Sequence, residues 1–119
     1  MGATTRTLYR PVGRHEYALI EASGFRRFPP RLPEQPIFYP VLTEEYAHHI
    51  ARDWNTKEPG GIGYVTAFEV RTEVVEQYTP QQVGAKMHTE LWIPAEDLEA
   101  FNNAIVGNIR ILAEYHHRK

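Results

Sequence analysis

Three polar residues, far apart in the chain, have side chains suited to binding an anionic, aromatic ligand. Glu90 lies in a strand-like stretch, residues 87–93, whose alternation turns it to the same face as its aromatic neighbours. Arg10 lies in the first predicted strand and offers a forked, permanently charged guanidinium. Tyr39 lies in another predicted strand and offers a ring and a hydroxyl. These residues suggest one binding site shared by three strands.

Length, charge and cysteine content narrow the classes of protein. The 119 residues predict a single domain, 1–119. A net charge of −2 and a pI near 6.3 argue against a broad nucleic-acid-binding surface. With no cysteine, thiol chemistry is excluded. We find no secretory signal and no apolar run of membrane-spanning length, so we expect a cytoplasmic protein without a membrane partner.

The elements that would position these residues follow from periodicity and from glycine and proline. Strands are predicted at 7–12, 37–42, 64–70, 87–93 and 109–113, with 74–78 continuing or pairing with the third. Helices are predicted at 14–23, 43–54 and 95–105. Gly24 stops the first helix, Thr43 caps the second, and the apolar stripe of the second ends at Trp54.

The connections between these elements differ in character. Residues 25–36 contain four prolines and predict an ordered surface loop, in which Arg31 could hold a phosphate. Residues 55–63 read as a flexible connection, and residues 79–86 as a polar loop beside the Glu90 strand. The irregular order of helices and strands predicts an α+β domain with a curved or split sheet.

Five stretches together resemble a family of small bacterial proteins that carry the label "ADP-ribosylation/crystallin J1". They are residues 8–13 (LYRPVG), 29–33 (PPRLP), 36–42 (PIFYPVL), 50–55 (IARDWN) and 90–96 (ELWIPAE). The layout is also similar, more loosely, to the ADP-ribosyltransferase fold. The resemblance implies an ADP-ribosyltransferase-like curved or split mixed β-sheet with about three helices.

In that fold, residues on three strands surround NAD, and the matching positions here are Arg10, Tyr39 and Glu90. The resemblance implies NAD as substrate, with Arg10 and Tyr39 on the cofactor side and Glu90 and Tyr39 in the catalytic set. Two features depart from it: the second strand lacks a Ser-Thr-Ser motif, and His88 stands where many members carry Glu or Gln. His88 shares the predicted face of Glu90, so we add it to the catalytic set as a base or an orienting group, and we add Arg31 to the cofactor-binding set.

The expected function is transfer of ADP-ribose from NAD to an unknown acceptor, or hydrolysis of the nicotinamide–ribose bond. A fixed carboxylate at Glu90 would stabilise the oxocarbenium-like state of that cleavage. The alternative is a noncatalytic module that binds ADP-ribose, a nucleotide or a protein partner. A toxin or antitoxin-like component is a third reading.

Each candidate residue also has an explanation that involves no ligand. Glu90 could be a solvated strand residue, and Arg10 could form an ion pair with Glu16 or Glu69. His49 and Asp53 have the i,i+4 spacing of two metal ligands on one helix face. A third ligand with matching spacing is missing, so no metal is expected.

Overall fold

The computed structural model describes residues 4–83 and 88–117, which form an α+β domain. Met87, at the start of the predicted Glu90 strand, lies outside the described residues, as do residues 1–3, residues 84–86 of the predicted loop and residues 118–119. In chain order the elements are β1 (Thr5–Gly13), α1 (Arg14–Ala22), β2 (Ile37–Phe38), α2 (Glu44–Asp53), a 3₁₀ turn (Asn55–Lys57), β3 (Ile62–Arg71), α3 (Thr72–Val75), β4 (Gln81–Gln82), β5 (Thr89–Glu90), β6 (Ile93–Pro94), a second 3₁₀ turn (Ala95–Asp97), α4 (Leu98–Asn103) and β7 (Ile105–His116).

An antiparallel sheet in the order β1-β3-β7 forms the centre of the molecule. The middle strand, β3, is buried on both faces over most of its length. One face packs on a core that contains Leu8, Phe68 and Phe101, and the other packs on α2 around Val41 and Val65. The sheet therefore separates two apolar clusters and holds both in place.

Beside β1 lies a second antiparallel pair, residues 36–42 against residues 89–95, which we call the ribbon. At one end of the ribbon the Leu42 N–H donates to Thr89 O at 3.0 Å, and at the other end the Ala95 N–H donates to Pro36 O at 2.8 Å. The β2–β6 ladder lies between these two hydrogen bonds. Prolines at 36, 40 and 94 have no N–H to donate, which accounts for the division of the predicted strands into two-residue pieces.

Helix α2 forms where the capping and stripe patterns predict it. Thr43 Oγ1 accepts a hydrogen bond from the Tyr46 N–H at 3.3 Å, which satisfies one open donor of the first turn. The apolar face buries Tyr46, Ala47 and Ala51 against the sheet. The close packing requires Gly63 on β3, because a β-carbon there would collide with the Ala51 carbonyl.

Three predicted elements differ from the structure. Trp54 does not extend the buried face of α2: it is the C-cap residue after Asp53, and it is 64% exposed. The segment after β3 forms α3 instead of a strand, and its turn is closed by the Glu76 N–H, which donates to Thr72 O at 2.9 Å. The "flexible connection" at 55–63 contains a 3₁₀ turn and the start of β3.

The predicted helix at 95–105 is shorter than expected. It is divided into a 3₁₀ turn and α4, and Ile105 already pairs with Val70 in the sheet. Asn102, in the last turn of α4, is buried and forms hydrogen bonds with both backbone groups of Phe28, at 2.9 and 3.0 Å. This side chain anchors the proline-rich loop at Phe28.

Within residues 4–83 and 88–117, four α-helices are present where about three were expected. Gly24 ends α1 at φ +77°, as predicted. In the same ranges, no helix has the length and apolar character needed to cross a bilayer.

Candidate functional site

A cavity opens where β1 and the ribbon separate. One backbone bridge, Tyr9 with Val41, joins the two elements. One residue further along β1, the Arg10 side chain instead spans the gap, donating from Nη1 to Tyr39 O at 3.2 Å. The resulting cavity has a volume of about 740 Å³, within the range of small-molecule sites.

Four of the five predicted site residues line this cavity. Arg10 comes from β1, Arg31 from the proline-rich loop, Tyr39 from the ribbon after β2, and Glu90 from β5. The convergence on one cavity agrees with the geometry expected from the sequence, and the individual roles stay predictions. His88 does not belong to the lining: its ring stacks on Tyr46 with 4.3 Å between the ring centres.

Arg10 is held rigidly inside the protein. Its Nε and Nη2 bind the two carboxylate oxygens of Glu16 at 2.7 and 2.8 Å, and its guanidinium lies 4.5 Å from the centre of the Phe38 ring. Both side chains of this pair are largely buried, at 10% and 17% exposure. The fork that would grip a phosphate is therefore already filled by a carboxylate.

Arg31 has a weaker partner. Its Nη1 lies 3.9 Å from Glu16 Oε1, while its Nε donates to Ile37 O at 3.0 Å. Burial, and then the charge of Arg10, lower the pKa of Arg31. Two buried guanidiniums thus share one carboxylate, so this end of the cavity has an excess of positive charge suited to an anion.

Two exposed aromatic rings form part of the wall. Tyr39 and Trp92 follow the Phe38–Ile93 pair on the ribbon, and their rings meet edge to face at 6.4 Å. The alternation along the ribbon explains the exposure, because Phe38 is fully buried and Tyr39 is 39% exposed. An exposed ring in the wall of a cavity can stack on a planar ligand group.

The Glu90 carboxylate lies half-buried between two donors. Trp92 Nε1 donates to Oε1 at 2.9 Å, and the Tyr46 hydroxyl donates to Oε2 at 3.4 Å. No lysine or arginine pairs with Glu90 among the ion pairs of the described residues. A fixed carboxylate without a cationic partner can stabilise a positive charge that develops on a ligand.

No family model, curated protein or solved structure matches this chain. The functional argument therefore depends on the geometry of the site and on the chemistry of its residues.

The helix face once considered for a metal has a simpler arrangement. His49 Nδ1 lies 3.1 Å from Asp53 Oδ2, and Arg52 donates to the same carboxylate at 3.0 Å. The described ranges, 4–83 and 88–117, contain no group of three metal-ligating side chains in suitable positions. These three residues form an exposed network on one helix face.

Sequence reasoning gave no role to two residues that contact Glu90. Trp92 could have been found, because period-two alternation places it on the face of Glu90. Tyr46 has no such signal, since within the α2 stripe it resembles any core residue. Only tertiary packing brings its hydroxyl to the carboxylate.

Proposed function

We propose that this protein has an ADP-ribosyltransferase-like fold, binds NAD, and transfers ADP-ribose to an acceptor or to water. The observation that carries the proposal is that Arg10, Arg31, Tyr39 and Glu90, from four separate segments, line one cavity of about 740 Å³. At one end of the cavity two arginines share one carboxylate, and the wall also carries exposed aromatic rings and the Glu90 carboxylate. NAD supplies the matching groups: a pyrophosphate, planar rings and a ribose that becomes cationic during cleavage.

The proposed reaction breaks the bond between nicotinamide and C1′ of the ribose. The bonding electrons leave with nicotinamide, which becomes neutral, and positive charge develops on the ribose. Glu90 would stabilise that charge and accept a hydrogen bond from a ribose hydroxyl. An acceptor atom then bonds to C1′ and loses its proton, giving an ADP-ribosyl product or free ADP-ribose.

The two arginines would share the phosphate contact unequally. Arg10 is occupied by Glu16, so its remaining N–H groups can orient a ligand but cannot grip it with the whole fork. Arg31 keeps both N–H groups of Nη1 for an anion, apart from the 3.9 Å approach of Glu16. We therefore assign the larger part of phosphate binding to Arg31, and we assign ring stacking to Tyr39.

A turnover assay tests the proposal directly. The purified protein incubated with NAD should release nicotinamide, and Glu90→Gln should abolish the release because the amide cannot offset the cationic state. Glu73→Gln, at a side chain that is 74% exposed, is the matched control and should keep the wild-type rate. Equal turnover in Glu90→Gln and wild type would remove Glu90 from the mechanism.

One observation favours a second candidate, a noncatalytic module that binds ADP-ribose, a nucleotide or a protein partner in the same cavity. Glu16 already neutralises much of the charge that a pyrophosphate needs. Calorimetry with ADP-ribose separates the two functions: binding without nicotinamide release supports the module, and absence of both excludes the cavity from either role. A cytoplasmic location is part of both proposals, in keeping with a chain that has no cysteine.

A further inference from the structure

Glu90 is held from two sides by donors that belong to different parts of the fold. Trp92 lies two residues further along the ribbon and donates from its indole Nε1 to Oε1 at 2.9 Å. Tyr46 lies on α2 and donates from its hydroxyl to Oε2 at 3.4 Å. One donor is two residues away and the other is 44 residues away in the chain, and each binds a different carboxylate oxygen, so together they restrict both the position and the plane of the carboxylate.

We propose that Trp92 and Tyr46 are positioning residues that hold the Glu90 carboxylate in the orientation needed for the reacting ribose. The inference rests on the proposed function, and it adds two residues to the site without giving either a contact with the ligand. An ionised carboxylate has about four lone-pair directions. The two donors use one on each oxygen, which leaves the others for a ligand hydroxyl.

The surroundings of Tyr46 keep its hydroxyl in place. Its ring stacks on His88 at 4.3 Å, and its backbone N–H is tied to Thr43 Oγ1. Burial, and then the negative charge of Glu90, raise the pKa of Tyr46, so the hydroxyl stays a donor over the neutral range. This arrangement also gives His88 a physical role beneath the site, as the stacking partner of a positioning residue.

Trp92 could instead act by stacking on the ligand, because its ring is 48% exposed and touches Tyr39. Replacement by phenylalanine separates these roles. Trp92→Phe keeps an aromatic face but removes the N–H that binds Glu90. If Trp92 stacks on the ligand, Trp92→Phe should change KM little and leave kcat unchanged. If Trp92 positions Glu90, Trp92→Phe should lower kcat.

The first experiment measures the hydrogen bond without any ligand. The chain has two tryptophans, so a ¹⁵N-labelled sample gives two indole N–H resonances. Glu90→Met, which removes the acceptor at similar length, should move the Trp92 resonance and leave that of Trp54, which is 64% exposed and lies over Lys57. An unchanged Trp92 resonance would overturn the inference.

The second experiment uses nicotinamide release. Trp92→Phe and Tyr46→Phe should each lower kcat about tenfold, the loss expected for one hydrogen bond to a charged group, with KM within about twofold. The matched controls are Trp54→Phe and Tyr78→Phe, which should keep the wild-type kcat. A rise in KM with unchanged kcat for Trp92→Phe would mean that Trp92 acts on the ligand and not on Glu90.

A double-mutant comparison completes the test. Glu90→Asp withdraws the carboxylate by one methylene, out of reach of the indole, so adding Trp92→Phe should have little further effect. Additive losses of the two variants would contradict the positioning role. If the wild type releases no nicotinamide, the proposed function fails by itself, and the indole resonances still decide whether Trp92 holds Glu90.

Discussion

The central sheet and the ribbon both contain apolar strands, but they differ in the continuity of their pairing and in the exposure of their side chains. In the sheet, β1 pairs with β3 in continuous register over nine residues, from Thr5–Arg71 to Gly13–Gly63, and apolar side chains fill both sides. In the ribbon, prolines interrupt the ladder every few residues, and one face carries exposed rings and Glu90. The sheet forms the buried scaffold, and the ribbon carries the Tyr39, Glu90 and Trp92 side chains of the candidate site.

The cavity lies where the backbone pairing between β1 and the ribbon is interrupted. A ribbon fully paired to β1 would leave no space between them, because neighbouring strands lie only about 4.8 Å apart. With a single bridge at Tyr9 and Val41, the gap opens wide enough for Arg10 and for a ligand. Interrupted pairing beside a continuous sheet is therefore what makes the site possible.

The largest predicted loss of stability comes from a substitution in the core beneath the central sheet. Phe68→Ala removes a fully buried ring that packs against Phe28 and Phe101, so it should lower the free energy of unfolding by about 3–5 kcal/mol. Tyr39→Ala on the ribbon should cost less than about 1 kcal/mol, because the ring is partly solvated. Urea denaturation measures both, and similar losses would refute the division between scaffold and site.

The second prediction concerns Glu16, which offsets charge at the point where sheet and ribbon meet. Glu16→Gln leaves Arg10 and Arg31 without their shared carboxylate, so stability should fall by about 2 kcal/mol. The affinity for ADP-ribose should rise about tenfold, since the ligand no longer competes with a resident anion. Arg31→Gln should change the affinity in the opposite direction. Calorimetry checks both, and weaker binding by Glu16→Gln would mean that Glu16 orients Arg10 for the ligand.

The sequence predicts the elements that depend on interactions between residues close together in the chain. Local signals were sufficient for β1, for α1 with its stop at Gly24, and for α2 with its cap at Thr43. The segment after β3 forms the short helix α3, and its period-two pattern did not distinguish this turn from a strand. The buried face of α2 was predicted to reach Trp54, but the helix ends at Asp53 and the C-cap residue Trp54 is exposed.

For the site, alternation gave the face of Glu90, opposite to the buried Leu91 and Ile93, since it depends only on position within a strand. It predicted that either Phe38 or Tyr39 is buried, and the choice of Tyr39 came from the resemblance. The contact of Tyr46 with Glu90 spans 44 residues, and the Asn102 side chain that anchors the proline-rich loop lies 74 residues from Phe28. Neither has a local pattern. Long-range polar contacts of this kind are the part that one sequence does not reveal.

A smaller change in the free energy of unfolding should appear at high pH. It arises at a contact between the segment after α3 and the second 3₁₀ turn. Tyr78 donates to Asp97 Oδ2 at 3.0 Å, and burial, followed by that hydrogen bond and charge, raises the pKa of Tyr78 to about 12. Because the pKa of an unfolded tyrosine is about 10, the stabilisation is complete below pH 10 and is lost as the pH rises through 12.

Tyr78→Phe should therefore remove about 1 kcal/mol of the decline in unfolding free energy between pH 10 and pH 12, after allowance for solvent screening. Chemical denaturation at several pH values measures the slope. Tyr46 and Tyr64, whose pKa values are also raised, should leave part of the decline in the variant. An identical slope in variant and wild type would contradict the assigned contact.

The smallest expected effect lies at low pH and belongs to the sheet alone. Glu69 on β3 accepts hydrogen bonds from Thr7 Oγ1 at 2.7 Å and from Arg110 Nη2 at 3.2 Å, and so joins all three strands. The Thr7 hydrogen bond, followed by those of Arg110 and Thr5, lowers the pKa of Glu69 against the opposing effect of burial.

A lowered pKa means that this stabilisation is present above the unfolded value, near 4.3, and is lost as the pH falls through the folded value. Glu69→Gln should thus flatten the acid decline in unfolding free energy by a few tenths of a kcal/mol, a small figure because the carboxylate is partly solvated. Glu73→Gln, at an exposed side chain just after β3, is the control. A flattening of equal size in the control would show that net charge, and not the bridge across the strands, sets the acid stability of the sheet.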